Sequence, residues 1–181
     1  MERLFYSMNI KIYLIGFMGS GKTFLGKKLG KALNLKFVEL DNEIEKYTST
    51  SIEKFFTKFG EAEFREIESK VLHQTYSSGI IATGGGIIEK SKNCEFIREN
   101  SDLTIWLNPA WDIIEPRIIN SNRPLIKRLS NISLKQLWEM RKTKYEECAD
   151  LIFKGSEPDV LIKLIRDYFA KKTSSCFQEL V

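Results

Sequence analysis

Residues 16–23 read GFMGSGKT, directly after the apolar run NIKIYLI at 9–15. Gly16, Gly21, Lys22 and Thr23 fit G-x-x-x-x-G-K-[ST], the P-loop pattern. Upstream, Ile10, Ile12, Tyr13, Leu14 and Ile15 make a strand too apolar to leave one face in water, which predicts a place inside a parallel sheet. Downstream, Phe24, Leu25, Leu29, Ala32 and Leu33 recur at helical spacing. Strand, glycine loop and helix therefore follow in the order a phosphate site requires. Glycines let successive backbone N–H groups converge on one anion, and the helix N-terminus adds the positive end of its dipole. Lys22 supplies a mobile charge for the outer phosphates, and the Thr23 hydroxyl is a ligand type suited to Mg²⁺. The pattern predicts a nucleotide site.

Outward from that loop, short apolar runs alternate with helical periodicity. Strands are predicted at 10–15, 35–39, 79–83, 102–107 and 150–153. Helices are predicted at 21–33, across 41–76, near 91–99, and at 110–119, 133–147 and 157–171. Such alternation predicts a three-layer α/β/α fold around a five-stranded parallel sheet, with ligands beyond the carboxyl ends of the strands. One domain is expected over residues 8–172, with peripheral extensions at 1–7 and 173–181.

Composition narrows the function. The chain has 181 residues, and its net charge of +4 is scattered without a long basic block, which argues against nucleic-acid binding and for a small anionic substrate. No apolar run reaches membrane length, and the three cysteines (94, 148 and 176) lack metal spacing. A reduced, cytoplasmic protein is expected, with a monomer as the default for one small domain.

What receives the phosphate is decided elsewhere in the chain. There is no N-K-x-D segment to read guanine. The apolar strands at 79–83 and 102–107 end in TGGG and LNP, without the aspartate of a motor-type ATPase. Acids do follow LKFV, as Glu39 and Asp41. One suits magnesium, held through water, and the other a hydroxyl substrate. Asp41 equally suits an N-cap of the next helix. The glycines of TGGG (83–86) allow very close approach and suggest a substrate floor.

Arginines complete the pattern. In SLKQLWEMRKTKYEEC (133–148), Leu134, Leu137, Trp138, Tyr145 and Cys148 form one apolar stripe, and Arg141 interrupts it. A buried guanidinium without a partner costs several kcal/mol, so Arg141 is expected to face an anion from protein or ligand, the alternative being a side chain that snorkels out to water. Arg65, in GEAEFREIESKV, flanks the Phe64/Ile67/Val71 face, with Glu61 four residues before it. Arg123 lies in the polar stretch NSNRPLIKRLS, which reads equally as a solvated loop or as a charged flap of the kind that covers a transferring phosphoryl group.

Taken in order, the strand and P-loop, LD after the second strand, GEAEFREIE, the GGG turn, NRPL and the R-x-x-x-Y helix resemble the shikimate kinase family. The likeness runs from about Asn9 to the last helix. It implies a nucleoside-monophosphate-kinase-like fold, and ATP and Mg²⁺ acting on the 3-hydroxyl of shikimate on the route to chorismate. It implies a substrate segment at about 41–70 and a lid at about 118–130. By this resemblance Asp41 is the aspartate that binds the hydroxyls and serves as the base, with Lys22 and Arg123 acting on the transferring group. Arg65 and Arg141 grip the carboxylate, and Gly85 and Gly86 touch the ring substituents. Gly19, Ser20, Gly21, Lys22, Thr23 and Phe24 hold the nucleotide phosphates, joined by Arg123, while Arg117 and Pro158 flank adenine. Thr23 binds magnesium, with Glu39 standing where the family commonly has aspartate. The rival readings are a kinase for another hydroxylated acid, such as gluconate, and a nucleotide-dependent binding module.

Overall fold

The computed structural model describes residues 9–74, 78–119 and 131–178, with side chains described from 134 in the second-to-last helix and to 172 in the last. Arg123, Arg128 and the loop around them lie outside the described residues, as do residues 1–8.

The elements follow in the order β1 (Lys11–Ile15), α1 (Lys22–Leu33), β2 (Phe37–Glu39), α2 (Leu40–Thr48), α3 (Ile52–His73) and β3 (Gly79–Ala82). After a 3₁₀ turn at Ile87–Glu89 come α4 (Ser91–Glu99), β4 (Leu103–Leu107), α5 (Trp111–Ile119), α6 (Asn131–Cys148), β5 (Leu151–Phe153) and α7 (Pro158–Gln178). All five strands pair in parallel, in the order β2-β3-β1-β4-β5. Such pairs need a crossover between strands, and the helices supply it.

Strand alternation divides the core into two layers. Tyr13 and Ile15 of β1, with Val38, Ile81 and Trp106, face a cluster completed by α2, α3, α4, α5 and α6. Ile12 and Leu14, with Ile80, Ile105 and Leu107, face Leu25, Leu29 and Leu33 of α1 and Leu161, Ile165 and Phe169 of α7. Both faces of the sheet are covered, which is why β1 and β4 read as nearly unbroken apolar runs.

Three local features of the helices have plain causes. The helical region 41–76 divides into α2 and α3, and α3 is itself broken at Gly60 (φ 81°, ψ 179°), a left-handed φ that glycine adopts at least cost. The turn of 3₁₀ after Gly86 is too short for periodicity to reveal. Helix α7 continues to Gln178, beyond the expected 171, because no glycine or proline stops it. Among the described residues no helix is long and apolar enough to cross a membrane, and Cys94 and Cys148 are free.

Candidate active site

Three neighbouring strands deliver the site. β1 runs into the loop 16–21, β2 into Glu39 and Asp41, and β3 into Thr83–Gly86. Because these strands lie side by side as β2-β3-β1, segments far apart in sequence meet at one edge of the sheet.

The P-loop turns at Gly21, whose φ of 96° is costly for residues with a Cβ, so that α1 can start at Lys22. The Lys22 side chain is folded into the loop. Its Nζ donates to the Gly16 carbonyl at 2.7 Å and the Phe17 carbonyl at 2.9 Å. Arg117 of α5 reaches across to donate from Nη1 to the Gly19 carbonyl at 3.1 Å. A cavity of about 460 Å³ opens here, lined by Gly19, Gly21, Lys22, Thr23, Phe24, Glu39, Asp41, Thr83 and Arg117. A smaller cleft of about 250 Å³ adjoins it, where Ser20, Gly21, Phe24 and Arg117 meet Pro109 and Pro158. The structure therefore brings together every nucleotide-side residue singled out in the sequence except Arg123.

Asp41 does not cap α2. Glu39 holds the N-cap position, without a side-chain cap bond, and Asp41 is the second helical residue. The helix starts two residues earlier than an Asp41 cap would require, and both acids line the cavity that Thr23 also lines.

Across the GGG turn lies the second half of the site. Arg65 donates from Nη1 to Glu68 Oε2 at 2.7 Å and from Nη2 to Glu61 Oε1 at 3.0 Å. Glu61 is the surface partner anticipated from helical spacing, but Glu68 is fully buried and escaped notice. Its signal was present: an acid on the stripe of Phe64, Val71 and Leu72, three residues after an arginine. Complete burial pushes the Glu68 carboxyl above its ordinary range, the Arg65 charge opposes this, and nearby Asp41 adds to it. Glu68 Oε1 and Arg65 Nε are both buried without a hydrogen-bond partner among the described residues.

The glycine turn explains itself in this setting. A Cβ on Gly86 would lie 2.3 Å from Arg65 Nη2, and one on Gly84 would lie 2.5 Å from Glu68 Oε1. The close approach those glycines permit is used first by the protein's own side chains. Tyr145 of α6 donates its hydroxyl to the Gly85 carbonyl, and burial pushes its phenol well above the usual range, so it stays a donor.

Arg141 is 4% exposed, as its position in an apolar stripe requires. The anion it meets comes from the protein: Nε donates to Glu89 Oε1 at 2.6 Å, and Lys144 Nζ donates to Glu89 Oε2 at 2.7 Å. The guanidinium also lies over the Phe17 ring, with Cζ 5.7 Å from the centroid. His73, at the end of α3, stacks on Phe96 with ring centroids 4.3 Å apart.

A doubly covered parallel sheet with a P-loop after β1, acids after β2 and an arginine cluster beyond the cavity defines a P-loop small-molecule kinase. The family profile described as shikimate kinase matches residues 18–178, and the chain belongs to that family. It is 38% identical to a shikimate kinase of Macrococcus caseolyticus over 138 residues, covering 75% of this chain and 82% of that one. It is 36% identical to one of Synechococcus elongatus over 163 residues, covering 86% and 84%. Among solved structures, shikimate kinase from Acinetobacter baumannii in complex with shikimate superposes with a TM-score of 0.84 at 30% identity, covering 95% of this chain and 98% of that one.

Proposed function

We propose that this chain transfers the γ-phosphoryl group of ATP to the 3-hydroxyl of shikimate. The observation that carries this reading is one of placement. Asp41 lines the same cavity as Lys22 and Thr23, while Gly84 brings it beside the Arg65–Glu68 pair. An acid thus stands between a phosphate loop and a buried arginine cluster, as a hydroxylated carboxylic acid requires.

In this reading the P-loop amides and the start of α1 hold the β- and γ-phosphates. Lys22 leaves the neutral carbonyls of Gly16 and Phe17 for phosphate oxygens, because a charged acceptor binds an ammonium more strongly. Arg117, Phe24 and Pro158 flank the base in the adjoining cleft. Asp41 orients the acceptor hydroxyl and takes its proton, while Arg65 and Arg141 grip the carboxylate and Gly85 and Gly86 receive the ring. Arg123, which lies outside the described residues, stabilises charge on the transferring group. Nothing covalent forms on the protein, so the work is positioning and electrostatics.

The oxygen donors suit magnesium. Thr23 offers a hydroxyl, Glu39 and Asp41 line the same cavity, and no cluster of three or more His, Cys, Asp or Glu exists among the described residues. That fits a cation which keeps several waters and takes few protein ligands. Mg²⁺ would be held by the Thr23 hydroxyl, with Glu39 acting through water, and would supply charge neutralisation at the phosphates.

ADP release that requires both shikimate and Mg²⁺ is the expected result of a coupled assay. Equal release with gluconate and none with shikimate would overturn the substrate assignment, and shikimate-independent nucleotide binding alone would favour a binding module. A sharper check comes from Gly86→Ala. The added methyl displaces the Arg65 guanidinium, so KM for shikimate should rise on the order of tenfold or more while ATP affinity holds. An unchanged KM would remove Arg65 and the glycine turn from the substrate site.

A further inference from the structure

The Arg141 guanidinium donates through Nε to Glu89, and Nε is its only nitrogen with a hydrogen-bond partner among the described residues. Its stem is buried, its face rests on Phe17, and one turn later Tyr145 fastens the same helix to the Gly85 carbonyl. Glu89 closes the 3₁₀ turn that begins straight after Gly86, so the acid and the glycines move as one piece. An acceptor at Nε and a ring beneath the plane together restrain rotation about the last bonds of the side chain. The Nη1 and Nη2 groups are left as a pre-set fork.

Charge balance matters as much as orientation. Glu89 alone would neutralise Arg141 and compete with any incoming anion. Lys144 prevents this by occupying Glu89 Oε2, so the three side chains together keep one positive charge. The Arg65 cluster cannot supply it, since Glu61 and Glu68 outnumber Arg65. Burial alone would push the Glu89 carboxyl up, but its bonds from Lys144 and Arg141 hold it below the ordinary carboxylate range, and it stays ionised in its holding role.

We infer that Glu89 is a positioning residue, which with Lys144 presents Arg141 as a charged, oriented fork to the carboxylate of the substrate. This rests on the functional reading above and adds to it a residue that touches no substrate. The inference makes an unusual demand on mutagenesis. Removing Glu89 adds positive charge to an anion site, so simple electrostatics calls for tighter binding, whereas positioning calls for weaker binding.

Three variants of the full chain decide it, with shikimate affinity read by titration and kcat and KM by the coupled assay. Glu89→Ala should raise KM for shikimate on the order of ten- to a hundredfold, with ATP affinity unchanged. Glu89→Gln, which keeps an acceptor for Nε, should stay within about threefold of wild type. Lys144→Met changes a half-exposed side chain, and it should weaken shikimate several-fold by letting Glu89 neutralise Arg141. With the methyl ester of shikimate the Glu89→Ala penalty should vanish, because no carboxylate remains to be oriented for. Tighter shikimate binding by Glu89→Ala, an equal penalty for acid and ester, or an unaffected Lys144→Met would each overturn the inference. If wild type shows no shikimate-dependent turnover, the functional reading fails first. Solvent exchange of the Arg141 Nε–H proton, followed by NMR, then tests the positioning separately: faster exchange in Glu89→Ala supports it, and equal exchange sinks it.

Discussion

Asp41→Asn is expected to lower kcat by about 10²–10⁴-fold, the range of a lost general base, while ATP affinity changes little. Asparagine keeps the size of the side chain and its place as the second residue of α2. It loses the charge and basicity that the proposed function sets against the acceptor hydroxyl. The helix itself should not suffer greatly, because Asp41 is not its cap. An acidic side chain in the first turn contributes about 0.3–1 kcal/mol through the helix dipole, far below the barrier change at stake. Single-turnover kinetics at saturating ATP and shikimate measure the chemical step directly. A rate near that of wild type would reduce Asp41 to a dipole-stabilising residue and move the base elsewhere.

Arg141→Ala is expected to weaken shikimate binding by about 2–5 kcal/mol, the usual loss when one partner of a buried hydrogen-bonded charge pair is removed. Two effects combine. The ligand loses its fork, and Glu89, left with Lys144 alone, turns from an anchor into an acid beside an anion site. Lost contact with Phe17 adds a destabilisation of the fold that must be measured separately. Thermal unfolding without ligand gives that term, and shikimate titration of the folded variant gives the rest. An unchanged dissociation constant in a folded variant would make Arg141 structural, with its ion pair to Glu89 as its whole purpose.

Much of this molecule could be read from the chain. β1, the P-loop and α1 are local features: an apolar run, glycines at set spacing and a helical stripe all lie within one short stretch. The parallel sheet followed from strands apolar on both faces, and the burial of Arg141 from its place in a stripe of Leu134, Trp138 and Tyr145. The cap of the second helix was not fixed by the sequence pattern, because a difference of one or two residues in where a helix begins decides which side chain caps it. Here Glu39 took that position.

Residue type and spacing by themselves determined the fold class, the nucleotide loop and the need of Arg141 for an anion. These depend on periodicity and on the cost of burying charge, and both are properties of a short stretch of chain. Which anion Arg141 meets was settled only by tertiary structure, because Glu89 stands 52 residues away and reaches it through the 3₁₀ turn. The same holds for Glu68, which is buried against the glycine turn after β3, and for Gly86, whose missing side chain makes room for Arg65. Partners that lie far apart in sequence are chosen by the crossing of elements in space, and the strand order β2-β3-β1 is what brings them to one edge.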